Sequence, residues 1–411
     1  MIQRDVCIVG AGPAGLTTAL FLAKNGIKST VVEKATFPRD KICGDAFSGK
    51  VSWVLRKLDL DFEAEIHKEK FQLASWGVKF FGTKNNELKV PFKLNYDAQT
   101  DKAPGFIASR LDFDNYLFEK AKANDLIEII ENTNLTNFAR NKNGVLASTK
   151  DNSFQIESKI IVGANGAYSK LAKELLGLEV KDDSNSLGLR TYYKNVKNLD
   201  QEGYIELHFL EDLLPGYFWI FPMKNGMANV GAGIRTDLMR KNKINLKKAF
   251  QKILDSHPEI SKRFEGAELV DDIKLFGLPL GSQKRKLSSD NVILLGDAAA
   301  LIDPFTGEGI GNAMISGMLA AENIEICIKE NDFSESKLIS YDEKIYKRLG
   351  KELQLSKQMQ ELSRFPWLFN FVVNKARKNK ELQEVISCMF ESVDVRKKLS
   401  NPMFYLRILF S

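Results

Sequence analysis

A single cysteine lies in a basic loop near the start of the chain. The stretch FPRDKICGD, residues 37–45, places Cys43 behind Arg39 and Lys41 and directly before Gly44. If the loop runs extended, both cations share a face with the sulfur and favour a reactive thiolate. If the cations point elsewhere, the protonated thiol can donate a proton. The loop therefore predicts a chemical role for Cys43, and the alternative is a small buried packing residue.

A glycine-rich turn follows the first predicted strand. DVCIVGAGPAGLTTALFLAKNG reads as a strand, a turn and a helix, and KSTVVEK supplies a second strand. In that setting Gly10 permits the tight turn, Gly12 lets a pyrophosphate approach the backbone, and Gly15 lets the helix pack on the sheet. Glu33 ends the second strand, where it can accept hydrogen bonds from a ribose. The predicted dinucleotide-binding residues are Gly10, Gly12, Pro13, Ala14, Gly15, Glu33 and Lys34.

A second glycine-rich segment lies near residue 300. NVILLGDAAALIDPFTGEGIGNA reads as a strand that ends in Gly296 and Asp297, followed by a loop and a helix that begins near Gly309. An acid at the carboxyl edge of a strand, followed by glycines, suits a ribityl chain and a flat ring lying against the backbone. The helix N-terminus can stabilise negative charge on that ring. The alternative is a buried strand and a packed helix. The predicted contacts are Gly296, Asp297, Gly307, Gly309, Ile310 and Gly311.

The segment GYFWIFP reads as a strand with two apolar faces. Its two-residue period puts Tyr217, Trp219 and Phe221 on one face and Phe218 and Ile220 on the other. The strand is therefore predicted to be buried, either as sheet core or as the wall of an apolar ligand site. The segment FQLASWGVKFF supplies candidates for an opposite wall, which are Phe71, Trp76, Phe80 and Phe81.

Length and composition indicate an ordinary globular protein. The chain has 411 residues, of which 44% are hydrophobic, enough for two domains with cores of their own. Its four cysteines, Cys7, Cys43, Cys327 and Cys388, are far apart, so neither a disulfide framework nor a metal site is predicted, and a cytoplasmic setting fits best. The apolar runs are too short for a signal peptide or a membrane span. The net charge of +6 lies mostly in residues 351–411, and no nucleic-acid partner is predicted.

The motifs and their order resemble a known family. The pairing of GxGxxG with GDAAxxxxPxxGEGIGxA resembles FAD-dependent oxidoreductases of the para-hydroxybenzoate hydroxylase-like fold. FPRDKICGD and GYFWIFP resemble the geranylgeranyl reductase family within that fold. The resemblance implies FAD as the cofactor. It also implies an α/β fold, in which a Rossmann-type FAD-binding domain carries an inserted antiparallel β-sheet substrate domain and a C-terminal helical segment.

The resemblance also implies roles for individual residues. Arg110, at a strand-to-helix junction, is expected to contact the FAD phosphates or ribityl chain. Gly166 lies in IIVGANGAYSKL, where relatives usually have an Asp-Gly pair, and the change to Asn165 removes a charge. Cys43 and Gly44 are expected beside the flavin ring, with the thiol as proton donor, gate or packing residue. The residues expected to line an isoprenoid pocket are Tyr217, Trp219, Phe221 and Pro304.

The domains are predicted to be discontinuous. The FAD-binding domain is assigned to residues 1–70, 100–185 and 275–330, and the substrate domain to residues 71–99 and 186–274. Residues 331–411 are predicted to form a C-terminal helical region. This region is interpreted as a lid over the protein's own core, with peripheral contact to an anionic membrane as an addition, because apolar clusters adjoin Lys375, Arg377, Lys378 and Lys380.

The expected activity is reduction of carbon–carbon double bonds in a hydrophobic, isoprenoid-like substrate by hydride from reduced flavin. The alternatives are a flavin-dependent monooxygenase or halogenase of the same fold, and a prenyl-lipid-binding escort protein without enzyme activity. Halogenases of this fold usually carry WxWxIP, whereas this chain has only Trp219 in FWIFP. Residues 150–290 contain no second GxGxxG, so the electron donor stays open between NADPH, a ferredoxin and a flavin reductase.

Overall fold

A computed structural model describes residues 1–93 and 95–388 of the chain. The end of the predicted C-terminal helical region, residues 389–411, lies outside the described residues. The strands are, in chain order, β1 Ile2–Val9, β2 Ser29–Val32, β3 Ala46–Phe47, β4 Leu73–Ser75, β5 Gly77–Phe81, β6 Glu87–Pro91, β7 Gly105–Ile107, β8 Ile127–Ile130, β9 Leu135–Asn141, β10 Gly144–Thr149, β11 Gln155–Gly163, β12 Asn185–Lys194, β13 Ile205–His208, β14 Tyr217–Pro222, β15 Met227–Arg235, β16 Glu268–Leu269, β17 Lys274–Pro279, β18 Ser288–Ser289 and β19 Val292–Leu294. The helices are α1 Pro13–Lys24, α2 Gly49–Leu58, α3 Leu60–Ile66, α4 Arg110–Lys122, α5 Lys170–Leu176, α6 Thr236–Lys241, α7 Leu246–Ser256, α8 Ile260–Phe264, α9 Ile310–Glu330, α10 Glu335–Leu362, α11 Pro366–Ala376 and α12 Lys380–Cys388.

One eight-stranded sheet forms the Rossmann-type half of the molecule. Its order is β18-β19-β11-β1-β2-β8, with β10 paired to β11 and β9 paired to β10. Strands β19, β11, β1, β2 and β8 run parallel. The last four residues of β1 and all of β2 are buried, as parallel strands covered on both faces require. The strand, helix and strand predicted around the first glycine turn are confirmed.

Helices α1 and α9, which each follow a glycine-rich turn, pack directly against one another. Gly317 of α9 permits this approach, since a Cβ at that position would lie 2.5 Å from the carbonyl oxygen of Ala14. The two turns are almost 300 residues apart in the sequence. The helix contact brings them together beside the carboxyl ends of β1 and β19.

A second eight-stranded sheet forms the inserted half. Its order is β16-β12-β15-β14-β13-β5-β6, with β17 also paired to β12. The pairs are antiparallel except for the parallel pair of β13 and β5. The predicted α/β fold with an inserted, mainly antiparallel sheet is therefore confirmed. A small sheet of order β3-β7-β4 adjoins it.

Strand β14 is buried on both faces, as its sequence predicts. Phe218 and Ile220 face a core that includes Phe250 of α7. Trp219 and Phe221 belong to a different apolar cluster, on the other side of the same sheet. The second cluster continues into the cavity described below, so β14 separates a structural core from a potential ligand wall.

The C-terminal region is helical within the described residues, as predicted. Helix α10 packs one face into the hydrophobic core of the Rossmann-type half. The buried residues on this face are Leu338, Tyr341, Ile345 and Leu349. Helix α11 covers the cluster of Trp219 and Phe221 with buried residues on its inner side. No helix in the described part of the chain is long and apolar enough to cross a membrane.

Candidate functional site

A cavity of about 760 Å³ is lined by residues of both large sheets. Among the predicted site residues, its wall includes Gly10, Gly12, Pro13, Ala14, Glu33, Lys34, Cys43, Gly44, Arg110, Gly166, Tyr217, Trp219, Phe221, Gly296, Asp297, Gly307, Gly309 and Ile310. The glycine turns and the aromatic strand therefore share one cavity. Three predicted contacts, Gly15, Pro304 and Gly311, are not part of the wall.

The three residues off the wall support it through packing. A Cβ on Gly15 would lie 2.0 Å from the carbonyl oxygen of Gly10, and a Cβ on Gly311 would lie 2.6 Å from the Cβ of Lys50. Gly15 and Gly311 thus allow close packing behind the two turns. The carbonyl oxygen of Pro304 accepts a hydrogen bond from Gln360 of α10 at 2.6 Å. This hydrogen bond helps to fix the loop of Pro304, and its predicted contact with substrate stays a prediction.

The first glycine turn has the geometry of an anion site. Gly10 adopts φ +108°, and a Cβ there would lie 2.5 Å from the carbonyl oxygen of Ala164, so other residues would be strained and crowded. Gly12 begins α1 without a side chain to cap it. Among the described residues, a Cβ on Gly12 would meet within 4 Å only a guanidinium nitrogen of Arg39, at 3.8 Å. The first-turn amides of α1 are thus open to a phosphate group.

Glu33 braces this turn. Its Oε2 accepts a hydrogen bond from the amide of Ala11 at 2.7 Å, and its Oε1 accepts one from the amide of Ala35 at 3.0 Å. The carboxylate is buried yet lines the cavity. Glu33 therefore positions the turn, and each oxygen retains capacity to accept a further bond from a ribose hydroxyl.

The second turn presents Asp297 to the cavity. Its carboxylate lies 3.6 Å from Nζ of Lys41. Helix α9 begins just after Glu308, whose Oε1 accepts a hydrogen bond from the amide of Gly311 at 2.7 Å. Burial raises the pKa of the Glu308 carboxyl, against the opposing charge of Lys50. The N-terminus of α9 was predicted to stabilise negative charge on a flavin ring. One of its amides already donates a hydrogen bond to the carboxyl group of Glu308.

The loop of residues 39–45 crosses from the glycine turns to the aromatic wall. Arg39 lies beside the first turn, 3.4 Å from the carbonyl oxygen of Ala11, and pairs with Asp114 at 2.6 Å. Lys41 lies against Asp297 and over the ring of Phe276, 4.0 Å from its centroid. The two cations therefore have partners away from the sulfur, contrary to the expected shared face with Cys43.

Arg110, rather than the neighbouring cations of the loop, contacts the Cys43 side chain. The guanidinium also donates two hydrogen bonds to Asp114, at 2.6 and 2.8 Å. Burial lowers the pKa of the Arg110 guanidinium, but the ion pair with Asp114 outweighs it and raises this pKa above its ordinary value. Because Asp114 is shared by Arg110 and Arg39, the cluster keeps excess positive charge at the cavity wall.

Cys43 and Gly44 are tied to the aromatic strand. Asn229 donates its amide to the carbonyl oxygen of Cys43 at 2.9 Å, and accepts a hydrogen bond from the indole nitrogen of Trp219 at 2.8 Å. A Cβ on Gly44 would lie 2.8 Å from the ring of Phe221. The hydroxyl of Tyr217 donates to the carbonyl oxygen of Thr306 at 2.7 Å. The aromatic strand thus holds both the cysteine loop and the second glycine-rich loop.

The aromatic residues of the segment FQLASWGVKFF were expected to form a wall of the ligand site opposite β14, and the structure does not place them at the cavity. None of the four candidates from FQLASWGVKFF lines the cavity. Trp76 stacks on Tyr96, and Phe80 stacks on Phe305. Trp76 and Tyr96 belong to a separate small cluster, whereas Phe80 packs in the same apolar cluster as Trp219 and Phe221 without lining the cavity. The residues expected there were Phe71, Trp76, Phe80 and Phe81.

Three residues of the cavity region were missed by the sequence analysis: the buried Asp45 and Arg190 and the half-buried Tyr192. Asp45 is completely buried and adopts φ 59°, a left-handed conformation for a non-glycine residue. Its Oδ2 accepts a hydrogen bond from the Tyr192 hydroxyl. Arg190 is also completely buried and pairs with Asp40 at 2.8 Å and Asp271 at 3.3 Å. The position of Asp45 directly after Cys43-Gly44 was the only signal in the sequence.

The Asn165-Gly166 turn leaves space and an unpaired polar atom at the cavity. Gly166 adopts φ +81°, and a Cβ there would meet nothing within 4 Å. The buried Oδ1 of Asn165 has no hydrogen-bond partner in the described part of the protein. Open amides at α1, the acid Asp297 and this polar oxygen together fit a dinucleotide cofactor that carries phosphates, hydroxyls and a polar ring.

Comparisons with known proteins agree with this fit. Residues 3–351 match the family model described as an FAD binding domain. A digeranylgeranylglycerophospholipid reductase of Methanocaldococcus jannaschii is 30% identical over 370 residues, which cover 87% of this chain and 87% of the relative. The predicted cofactor, FAD, is confirmed.

Solved structures show the same fold. A geranylgeranyl bacteriochlorophyll reductase-like protein of Thermoplasma acidophilum superposes with a TM-score of 0.79 and 23% identity, over 97% of this chain and 100% of the other. The flavin-dependent brominase Bmp2 superposes with a TM-score of 0.75 and 21% identity, over 98% and 99% of the two chains. The second likeness concerns the fold alone. The chain belongs to the FAD binding domain family and, within it, to the FAD-dependent oxidoreductases of the geranylgeranyl reductase type.

Proposed function

We propose that the protein reduces carbon–carbon double bonds in the isoprenoid chains of a glycerophospholipid. The name of the M. jannaschii relative supports this substrate class. The observation that carries the proposal is the course of the 39–45 loop, which joins Arg39 at the first glycine turn to Gly44 at the ring of Phe221. The loop links a cofactor site to an apolar wall within one cavity.

Some residues of the cavity wall bind the cofactor in this proposal, and others bind the substrate. Reduced FAD supplies the hydride when it is bound. The open amides of α1 hold the pyrophosphate, and Asp297 accepts hydrogen bonds from ribityl hydroxyls. Trp219 and Phe221 hold the isoprenoid chain and exclude water from the reacting carbons. Arg110 keeps positive charge near the phosphates and beside the cysteine.

Cys43 is proposed to act on the substrate at the junction, as a gate or a proton donor. Its loop is fixed through its own carbonyl oxygen, and the residue lines the cavity with its side chain against Arg110. We expect Cys43→Ser to keep its FAD and to lower turnover or change the number of double bonds reduced. Equal rate and product pattern in Cys43→Ser and Cys43→Ala would leave the thiol a packing residue. Loss of FAD in both variants would make it structural.

Peripheral contact with an anionic membrane is proposed for the outer face of α11. Trp367 is 71% exposed and Phe371 is 47% exposed, one helical turn apart. Arg377, Lys378 and Lys380 follow at the carboxyl end of the helix. Aromatic and basic side chains on one exposed segment suit the headgroup region of a bilayer.

Sedimentation with vesicles tests this contact. We expect the protein to bind vesicles that contain anionic lipid, and Trp367→Ala to weaken binding severalfold. The matched control is Leu269→Ala, because Leu269 is also well exposed, at 53%. It lies on β16, at the edge of the inserted sheet opposite to β6. Equal binding of both variants and the wild type would contradict a role for α11.

The activity is tested with the FAD-loaded protein under anaerobic conditions. Flavin is reduced with dithionite, mixed with digeranylgeranylglycerophospholipid, and the lipid is analysed by mass spectrometry. We expect reoxidation of the flavin and a gain of two mass units for each double bond reduced. Product that forms only in air and carries oxygen or halogen would favour the monooxygenase or halogenase alternative. Replacing dithionite by NADPH, a ferredoxin or a flavin reductase then identifies the donor.

A further inference from the structure

The cavity wall contains an acid that the proposed function has not used. Asp45 is completely buried, yet it is part of the wall. Its Oδ2 is held by Tyr192, whereas its Oδ1 has no hydrogen-bond partner among the described residues. A buried carboxyl with one unpaired oxygen is costly unless that oxygen meets a ligand or a proton.

Asp45 lies at the substrate end of the cavity. It follows Cys43 and Gly44, which touch Asn229 and the ring of Phe221. Its own backbone carbonyl accepts a hydrogen bond from the amide of Ala108 at 3.1 Å, and its φ of 59° lies in the left-handed region. The surrounding contacts therefore maintain a strained conformation at this position, as is common for functional residues.

The groups that face Asp45 favour its ionisation only in part. They are Arg190 and Tyr192 from β12, Arg110 from α4 and Asn229 from β15. Arg190 already pairs with Asp40 and Asp271, and Arg110 pairs with Asp114, so neither forms a direct ion pair with Asp45 in the described structure. Burial consequently raises the pKa of the Asp45 carboxyl from 3.8 to about 6, against the opposing effects of these four groups.

Reduction of a double bond needs such an acid. One alkene carbon gains a hydride, which brings two electrons, and the other carbon must gain a proton. We propose that the carboxyl of Asp45 donates that proton to the substrate, which makes Asp45 a catalytic residue of the proposed reductase. The carbon–hydrogen bond forms as the O–H bond of the carboxyl breaks, and the resulting carboxylate later takes a proton from water. The inference rests on the proposed function.

The neighbours of Asp45 suit this cycle. Burial and the nearby Asp45 carboxyl raise the pKa of the Tyr192 hydroxyl far above its usual range, so Tyr192 stays protonated and donates to the carboxylate left after transfer. Arg190 and Arg110 stabilise the same anion at longer range. Cys43, which touches Arg110, is then better suited to gate or orient the chain than to supply the proton.

The test compares Asp45→Asn with the wild type in single turnover of the reduced, FAD-loaded enzyme. Asparagine keeps the size of the side chain and tolerates a left-handed backbone. We expect FAD content and dithionite reduction to be unchanged, and double-bond reduction to slow about 100-fold or more. The matched control is Asp272→Asn, since Asp272 is exposed, lies off the cavity wall and is not one of the two acids that pair with Arg190, and it should keep the wild-type rate within about threefold.

Two measurements on the wild type keep the proposal testable if Asp45→Asn does not fold. The single-turnover rate should be constant below about pH 6 and fall about tenfold per pH unit above it, because only the carboxylic acid donates. Infrared difference spectra of the holoenzyme should show a protonated carboxyl that titrates over the same range. A flat pH profile, or full activity in Asp45→Asn, overturns the inference alone. A wild type that reduces no isoprenoid lipid overturns the proposed function, while the infrared titration still reports on Asp45.

Discussion

The two ends of the cavity are built in different ways. At the glycine turns the backbone forms the site, since Gly10 and Gly12 leave amides and space where side chains would intrude. At the aromatic end side chains from distant segments form it, as in the chain of contacts from Trp219 through Asn229 to Cys43. The cofactor end is therefore formed by a backbone turn, whereas the end proposed for the apolar chain is formed by aromatic side chains.

The two ends also differ in how their charged side chains are paired. The cofactor end keeps excess positive charge, because Arg39 and Arg110 share the single acid Asp114. At the substrate end Arg190 is neutralised by Asp40 and Asp271, and the remaining carboxyl of Asp45 is buried and partly unpaired. One end is therefore suited to binding phosphate, and the other to holding a proton.

The strongest way to break this comparison is to place a side chain in the first turn. Gly10→Ala would force a Cβ to within 2.5 Å of the Ala164 carbonyl oxygen at a φ of +108°. We expect loss of bound FAD and a destabilisation of about 3 kcal/mol or more. The flavin absorbance of the purified protein and chemical unfolding measure the two effects.

Gly26→Ala is the control for Gly10→Ala. Gly26 also has a positive φ, +74°, but a Cβ there would meet nothing within 4 Å. We expect it to keep its FAD and to lose only about 1–2 kcal/mol. If Gly10→Ala binds FAD as the control does, the rigid-turn account of the cofactor end is wrong.

The substrate end is tested through the pH dependence of stability. The Asp45 pKa is about 6 in the folded protein and 3.8 in the reference state, so folding favours the protonated acid. The contribution of Asp45 to stability is therefore largest below about pH 4, falls as pH rises to about 6, and is then level, with a total loss of about 3 kcal/mol. Asp45→Asn should lack this loss, so its unfolding free energy relative to wild type should rise over that window. Parallel curves for both proteins would contradict a buried, protonated Asp45.

At the cofactor end, Asp297→Ala sharpens the comparison without altering the backbone. We expect FAD affinity to fall by about 1–3 kcal/mol, because ribityl hydroxyls lose a charged acceptor. Fluorescence titration of the apoprotein with FAD measures the change. Asp5→Ala is the control, since Asp5 lies in the exposed first half of β1, away from the turn, and pairs with Lys159 at the surface. Equal affinities would mean that Asp297 is turned away from the flavin.

The smallest effect concerns the length of the substrate. Each methylene buried against the aromatic wall should add about 0.8 kcal/mol of binding free energy, so longer isoprenoid analogues should bind more tightly. Trp219→Phe should weaken binding of the long analogues, and Trp76→Phe should not, because Trp76 stacks on Tyr96 in a separate cluster. Equal affinity for all lengths would indicate a compact aromatic substrate.

The cofactor end was predictable because its signals are local. The spacing of Gly10, Gly12 and Gly15 specifies a strand, a turn and a helix within one short segment, and the same holds for the segment around Asp297. The alternation in GYFWIFP likewise predicted a buried strand with Trp219 and Phe221 on one face. Whether that face packs in a core or lines a ligand site depends on the residues that surround it in the folded chain. The cavity and the apolar cluster beside it identify those residues.

The substrate end was decided by tertiary structure. The sequence suggested Arg39 and Lys41 as the cations beside Cys43, but the folded chain pairs them with Asp114 and Asp297 and brings Arg110 to the sulfur. Apart from its place after Cys43-Gly44, no local pattern marks Asp45, since the groups that surround it come from β12, β15 and α4. The sequence by itself determined the elements, the cofactor and the family, because periodicity and glycine spacing act over a few residues. Only the tertiary structure decided which charges meet, because ion pairs depend on distances in space rather than along the chain.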